Sequence, residues 1–177
     1  MSAWISSAAA SHLELLQAQG TQGPCVDVVA RRTGPTGSGK TTLARAIVAA
    51  SLRRKGQLDH VLGTFLERGI PERSGLLYPI LLSAAAQLIF LKTPPHAAID
   101  LAVTLSHYDP KAKRYDKLVN AVLRRVASEG ETIAATLDAA RIDTPDWLWT
   151  RWVGYWGEPR AHAIAETQLI EPPLDVT

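Results

Sequence analysis

Cysteine is almost absent: Cys25 is the only one among 177 residues. A disulfide framework and a cysteine-rich zinc site are therefore excluded, and a reducing compartment, the cytoplasm, is expected. No secretory signal is readable, because Met1 to Leu16 has no basic stretch ahead of its apolar residues and carries His12 and Glu14. Long apolar runs are scarce too. The one long uncharged stretch, Ser74 to Leu91, touches the lower length limit for a membrane span but is interrupted by Pro79, Ser83 and Gln87. It reads as a buried core helix, and no membrane partner is expected. Alternation of apolar and polar residues does not extend beyond Cys25 to Val29, so a sheet has little to be built from. Internal repeats and low-complexity tracts are missing as well.

What is present fits one globular domain, with 46% apolar and 20% charged residues. The formal net charge of +2 is too small to argue for a nucleic-acid partner by itself. Its distribution is more telling. Residues 31–125 carry sixteen basic and six acidic side chains, whereas residues 126–177 carry three basic and nine acidic ones. Such asymmetry fits one surface that meets phosphate and another that is merely solvated.

Almost every segment has helical periodicity. Trp4 to Gln19 is a candidate first helix, closed by the turn cluster Gly20 to Pro24. Leu43, Ala46, Ile47 and Ala50 fall on one helical face, as do Leu58, Val61, Leu62 and Phe65, and Gly56 is expected to separate the two helices. Leu77 to Leu91 is apolar nearly all round, which places it at the centre of the fold. Pro94 and Pro95 end that helix and open the next, whose stripe is Ala98, Ala102 and Leu105. A polar, basic connector from Tyr108 to Tyr115 follows. Leu118, Val119, Val122, Leu123 and Val126 then make the apolar face of a strong helix, with Arg124 and partly Arg125 on its other side. Thr144-Pro145-Asp146 reads as an N-cap, Pro159 opens a last helix, and the sequence after Glu171 reads as a linker. The class is all-α, a bundle of antiparallel neighbours joined by short loops.

One string stands apart. Gly34 to Thr41, GPTGSGKT, satisfies the phosphate-loop pattern, in which Gly34, Gly37 and Gly39 let amides wrap a phosphate, Lys40 reaches its oxygens and Thr41 holds magnesium. A chance match in a chain of this length is on the order of 1%. The surroundings do not support it, because Arg31, Arg32 and Thr33 separate Val29 from the loop and no second apolar strand ends in aspartate. Nucleotide binding, with ATP and magnesium, adventitious anion binding and a plain interhelical loop all stay open.

Residues 76–130, LLYPILLSAAAQLIFLKTPPHAAIDLAVTLSHYDPKAKRYDKLVNAVLRRVASEG, resemble the NusB-like RNA-binding domain that precedes the catalytic domain in bacterial ribosomal RNA (cytosine-5) methyltransferases of the Sun/Fmu type. The likeness rests on the apolar helix leading into Pro94-Pro95-His96-Ala97-Ala98, the helix these open, and the run Val119 to Arg125. LARAIVAASLRRKGQLDHVLGTFLER fits the family's early helices, and TPDWLWTRWVGYWGEPRAHAIAETQLIEPPLDVT fits the linker to the methyltransferase fold. The resemblance implies three parts: a loosely matching segment 1–41 with the GPTGSGKT loop, a NusB-like helical domain 42–141, and a helical linker 142–177. It further implies an RNA-binding scaffold for ribosomal RNA that carries no catalytic residue and no cofactor. S-adenosylmethionine and two catalytic cysteines belong to the methyltransferase domain of that family, and Cys25 cannot replace them. The same resemblance admits a transcription-antitermination module that joins RNA to a ribosomal protein.

The basic residues read two ways. Arg53, Arg54 and Lys55 close a helix, where its dipole favours cations with or without RNA. Lys111, Lys113, Arg114 and Lys117, interleaved with Tyr108 and Tyr115, suit phosphate contacts plus base stacking, although Asp109 and Asp116 offer them partners. Arg124 and Arg125 are candidate phosphate forks at the family-like run. Asn120 is expected as a buried amide tying two helices together, and His96 as a helix-start packing residue. Trp149, Trp152 and Trp156 share one face, expected to pack against the bundle or a following domain because Asp143, Asp146 and Glu158 flank it.

Overall fold

A computed structural model describes residues 38–171, with side chains from residue 43 onward. The expected helix Trp4 to Gln19, Cys25, Gly34, Gly37 and the sequence after Glu171 lie outside the described residues. Within them the secondary structure is helical throughout: α1 (Ser38–Arg53), α2 (Lys55–Phe65), α3 (Leu77–Ile89), α4 (Pro95–Tyr108), a 3₁₀ turn (Ala112–Tyr115), α5 (Asp116–Ala135), α6 (Ala139–Ile142), α7 (Asp146–Trp156) and α8 (Glu158–Gln168). The expected all-α bundle is what forms, and no strand occurs among the described residues.

The hub is α3, as its apolar circumference requires. Leu77, Ile80, Leu81 and Ala85 have no exposure at all, and α1, α2, α4 and α5 pack around them. Removing each such leucine or isoleucine from water contributes roughly 1.5–3 kcal/mol. The three interruptions of the apolar run are absorbed locally. Pro79 sits in the first turn, where an amide would lack a helical partner. Ser83 donates to the Ile80 carbonyl at 3.0 Å, and Gln87 donates to the Ser83 carbonyl at 3.3 Å. No helix among the described residues is long and apolar enough to cross a membrane.

Against α3, α5 buries Val119, Val122, Leu123 and Val126, with Leu118 half-buried beside them. Pro95 starts α4 and Ala98, Ala102 and Leu105 are its buried stripe, both as read from the sequence. On α2, Leu58, Val61, Leu62 and Phe65 are buried as expected. The stripe on α1 is rotated, however. Ala44, Ile47 and Ser51 are buried and Leu43 is 40% exposed, because small side chains at the first and last of these positions fit the contact with α3 and Ser51 is satisfied by the Ile47 carbonyl at 2.7 Å.

Gly56 does not separate two helices; the break falls at Arg54, and Gly56 lies in the first turn of α2. Its job is close approach. A Cβ there would sit 1.9 Å from the Ile142 carbonyl oxygen and 2.5 Å from its carbon, so only glycine lets α6 rest on the start of α2. Asp143, just beyond α6, accepts from the Gln57 amide at 2.9 Å, and the Gln57 side chain donates to the Ala134 carbonyl at 2.9 Å. Burial pushes the Asp143 carboxyl above its ordinary pKa, against the pull of the Gln57 amide and Arg54, and its Oδ2 is buried without a partner among the described residues.

The Thr144-Pro145-Asp146 cap is corrected by the structure. Thr144 turns back to donate to the Ala140 carbonyl at 2.7 Å, so its hydroxyl finishes α6 and α7 starts without a side-chain cap. The α7 helix has no fully buried residue and packs mainly on α8, which in turn packs on α6. Trp149 and Trp152 are half-buried, and Trp149 meets His162 of α8 edge-on at 6.3 Å. Trp156 is 49% exposed, so the expected three-tryptophan packing face is only partly covered.

Candidate nucleic-acid interface

The connector between α4 and α5 is where the sequence placed most positive charge, and it has a defined shape. Instead of a plain polar loop it contains the 3₁₀ turn, pinned by the fully buried Ala112, with Lys113 and Arg114 exposed on it. The anchor is Asp109. It accepts from the Leu76 amide at 2.6 Å and the Lys111 amide at 2.8 Å, tying the connector to the chain entering α3. Gly75, at φ +60°, makes room, since a Cβ there would lie 2.2 Å from Asp109 Oδ2.

Desolvation opposes the charge on Asp109, but the Lys111, Leu76 and Ala112 amides outweigh it and hold the carboxyl below its ordinary pKa. A carboxylate with a depressed folded pKa stabilises fully above its unfolded value near 3.9 and loses that contribution as pH falls through the folded value. Asp109→Asn is therefore expected to destabilise the protein at pH 7, with the gap to the native chain closing below about pH 4. Urea melts of both proteins from pH 7 to pH 2.5 check this; a pH-independent gap would show that the charge is irrelevant.

Downstream, Lys117 and Arg124 line an open groove of about 1020 Å³ between α4 and α5. Both side chains are exposed, as are Lys111, Lys113 and Arg114. None of these five cations forms an ion pair within 4 Å with a carboxylate of the described residues. Asp116, which could have neutralised them, faces His107 at 3.3 Å, and its carboxyl is held low first by the Lys117 amide and then by His107.

The other sequence candidates are placed differently. Arg54 reaches Gln57 at 3.2 Å and the Leu169 carbonyl at 3.4 Å and lies over the Phe90 ring at 5.3 Å, so it joins α8 to the bundle. Lys55 pairs with Asp59 at 2.6 Å over the Tyr78 ring. Burial works against its charge, yet the hydrogen bonds to Asp59 and Tyr78 prevail and raise its pKa above the ordinary lysine value. Arg53 is half-buried at the end of α1. Arg125 stacks 4.5 Å from the Phe65 ring centroid and reaches Glu129 at 3.8 Å, on a different side of α5 from the groove. The nine basic candidates therefore fall into separate groups: Lys111, Lys113, Arg114, Lys117 and Arg124 follow the connector and groove, Arg54, Lys55 and Arg125 are engaged in packing, and Arg53 is half-buried at the end of α1.

Two single residues are corrected. The Asn120 amide ties no helices together; its Oδ1 accepts from Arg124 Nε at 3.1 Å within α5, and it lines the groove. His96 is exposed in the first turn of α4 and lines the same groove rather than packing. Some carboxylates of the acidic stretch meet a cation from outside it, and others meet partners within it. Glu131 pairs with Lys92 at 2.5 Å, Asp146 with Arg141, and Asp138 and Glu166 both with His162, at 3.2 and 3.4 Å. As for GPTGSGKT, Gly39, Lys40 and Thr41 lie on the backbone of α1, and their side chains are outside the described ones. No group of three or more metal-ligating residues occurs among the described residues.

The sequence model of the NusB family matches residues 14–128. The chain belongs to the NusB family. This NusB-family match runs through the GPTGSGKT string and across α1 to most of α5. Ribosomal RNA small subunit methyltransferase B of Xanthomonas campestris pv. campestris is 34% identical over 130 residues, covering 73% of this chain and 29% of that protein. The protein of the same name from Xylella fastidiosa is 35% identical over 132 residues, covering 75% and 29%. The Pasteurella multocida one is 29% identical over 119 residues, covering 67% and 26%. The chain thus spans about three-tenths of the length of these relatives. Neither the family nor these relatives bear a nucleotide-hydrolase name, and the phosphate-loop reading gains no support from them.

Proposed function

We propose that this NusB-family chain is an RNA-binding scaffold module of an rRNA (cytosine-5) methyltransferase, holding ribosomal RNA for methyl transfer by a separate domain. The observation that carries this reading is the train of five exposed cations, Lys111, Lys113, Arg114, Lys117 and Arg124, without carboxylate partners among the described residues. Exposed lysines and arginines along one connector and helix edge can track a phosphate backbone and displace its counterions. Nothing in that arrangement performs methyl transfer: it offers cations and an amide, and no nucleophile paired with a base. In this reading S-adenosylmethionine belongs to the separate methyltransferase domain. The methyltransferase names of the relatives and the family match support the reading independently.

Filter binding of a small-subunit rRNA fragment at several salt concentrations tests it. The logarithm of the association constant is expected to fall linearly with the logarithm of salt, with a slope of roughly −3 to −4 for five phosphate contacts on single-stranded RNA. Affinity indifferent to salt would end the proposal.

A further inference from the structure

The α4–α5 groove has a composition that phosphate contacts alone do not explain. Its two cations, Lys117 and Arg124, are equalled in number, though not ion-paired, by Asp100 and Asp116 of the same lining, so the groove carries no net formal charge. By contrast, the adjoining connector carries three cations, Lys111, Lys113 and Arg114, against Asp109 alone. Phosphates are therefore drawn to the connector more than to the groove. Inside the groove the distinctive surface is apolar: Ile99, Leu101 and Val103 of α4 are only partly covered by the core, and Ala127 of α5 is exposed. Hydrogen-bonding groups border this surface. Arg124 Nε holds Asn120 Oδ1, which leaves the Asn120 amide hydrogens and the terminal Arg124 nitrogens without a partner among the described residues. Asp100, also unpaired there, can only accept.

An apolar floor edged by a donor, an acceptor and a planar cation is what the face and edge of a nucleobase require. It is useless to a base held inside a duplex, because A-form RNA presents mainly phosphates and 2′-hydroxyls to a protein surface. The volume of about 1020 Å³ lies at the top of the roughly 300–1,000 Å³ range of small-ligand pockets, so a base with its ribose fits. We propose that the α4–α5 groove is a nucleoside subsite that accepts one unpaired base of single-stranded RNA, covering Ile99 and Val103 and hydrogen-bonding to Asn120, while the connector holds the adjacent phosphates. The inference rests on the RNA-binding reading above and adds to it selectivity for single strands.

The test uses the full chain and two fluorescent probes of one rRNA-derived sequence, a 12-nucleotide single strand and its blunt duplex. Anisotropy is expected to show the single strand binding about tenfold more tightly, the size of one base contact. Ala127→Phe fills the groove from an exposed helical position without changing charge, and should bring single-strand affinity down to the duplex value while leaving duplex binding unchanged. Asn120→Ala should lower single-strand affinity alone, by about fivefold or more. Circular dichroism confirms that each variant is folded. Equal affinity for both probes in the native chain overturns the subsite, as does an Ala127→Phe variant that binds the single strand normally or weakens both probes alike. Salt-dependent binding to both probes in those cases leaves the RNA-binding reading standing; binding to neither removes both.

Discussion

Gly56→Ala lowers stability by about 3 kcal/mol or more, an expected loss out of proportion to one added methyl group. The reason is what that methyl meets. At 1.9 Å it would overlap the Ile142 carbonyl oxygen, which is backbone and cannot rotate aside as a flexible side-chain tip could. Either α6 lifts off α2 or the first turn of α2 unwinds. Both break the hydrogen bond that the Gln57 backbone amide donates to Asp143 and leave that carboxyl, its pKa already raised by burial, with less to hold it. In a domain of this size the melting temperature should drop by roughly 6–12 °C. Gly63→Ala, in the same helix, provides the opposite sign: nothing lies within 4 Å of its would-be Cβ, so relief of glycine's helix penalty should stabilise by about 0.5–1 kcal/mol. Thermal melts followed at 222 nm check the pair. If the two substitutions shift the transition alike, the α2–α6 contact is not as close as described.

Removing the charge of Lys111, Lys113, Arg114 and Lys117 together, each to alanine, is expected to cut affinity for a ribosomal RNA fragment by about 100-fold at low salt. It should also flatten the salt slope by about 3, since each lost phosphate contact removes close to one counterion's worth of dependence. Stability should hardly change, because none of the four is ion-paired to a carboxylate of the described residues and all are exposed. Arg54→Ala should do the reverse. Its guanidinium joins Gln57, the Leu169 carbonyl and the Phe90 ring, so a loss of roughly 1–3 kcal/mol in stability is expected with little effect on RNA binding. Parallel titrations and melts of the two proteins separate a cation that contacts RNA from one that holds the fold. An RNA defect in Arg54→Ala without one in the quadruple variant would place the interface at the α1–α2 corner instead.

Those two groups of cations look the same as sequence, and the difference shows which information the chain carries locally. Leu77 to Ile89 is readable as the hub because a helix apolar on all sides has no stable place except among neighbours. Pro95 and the Val119 to Val126 face are equally legible, as each obeys a rule spanning one or two turns. What escapes is every feature made by residues far apart. Arg54 finds Phe90 and Arg125 finds Phe65, across 36 and 60 positions, with nothing near either arginine to announce it. The same holds for Lys92 with Glu131. Gly56 reads as a helix breaker but lies inside α2, because its purpose depends on a carbonyl 86 residues downstream. Asn120 reads as a helix junction, whereas its donor, Arg124, lies four residues ahead on its own helix. Of the candidate site, the residue types and the connector were readable, and the groove that gathers them was not.

The manner in which α7 is attached has a dynamic corollary. Its main packing is on α8, and among the described residues α8 is held by Ala161 and Ala165, the His162 contact with Asp138 and one Arg54 hydrogen bond. Few buried side chains resist its separation, so the last two helices form a subunit of low opening free energy beside a core whose amides open only on global unfolding. In deuterated solvent the Asp146 to Trp156 amides would exchange first among the helices, long before those of α3, and the tail could swing away without the bundle losing its shape.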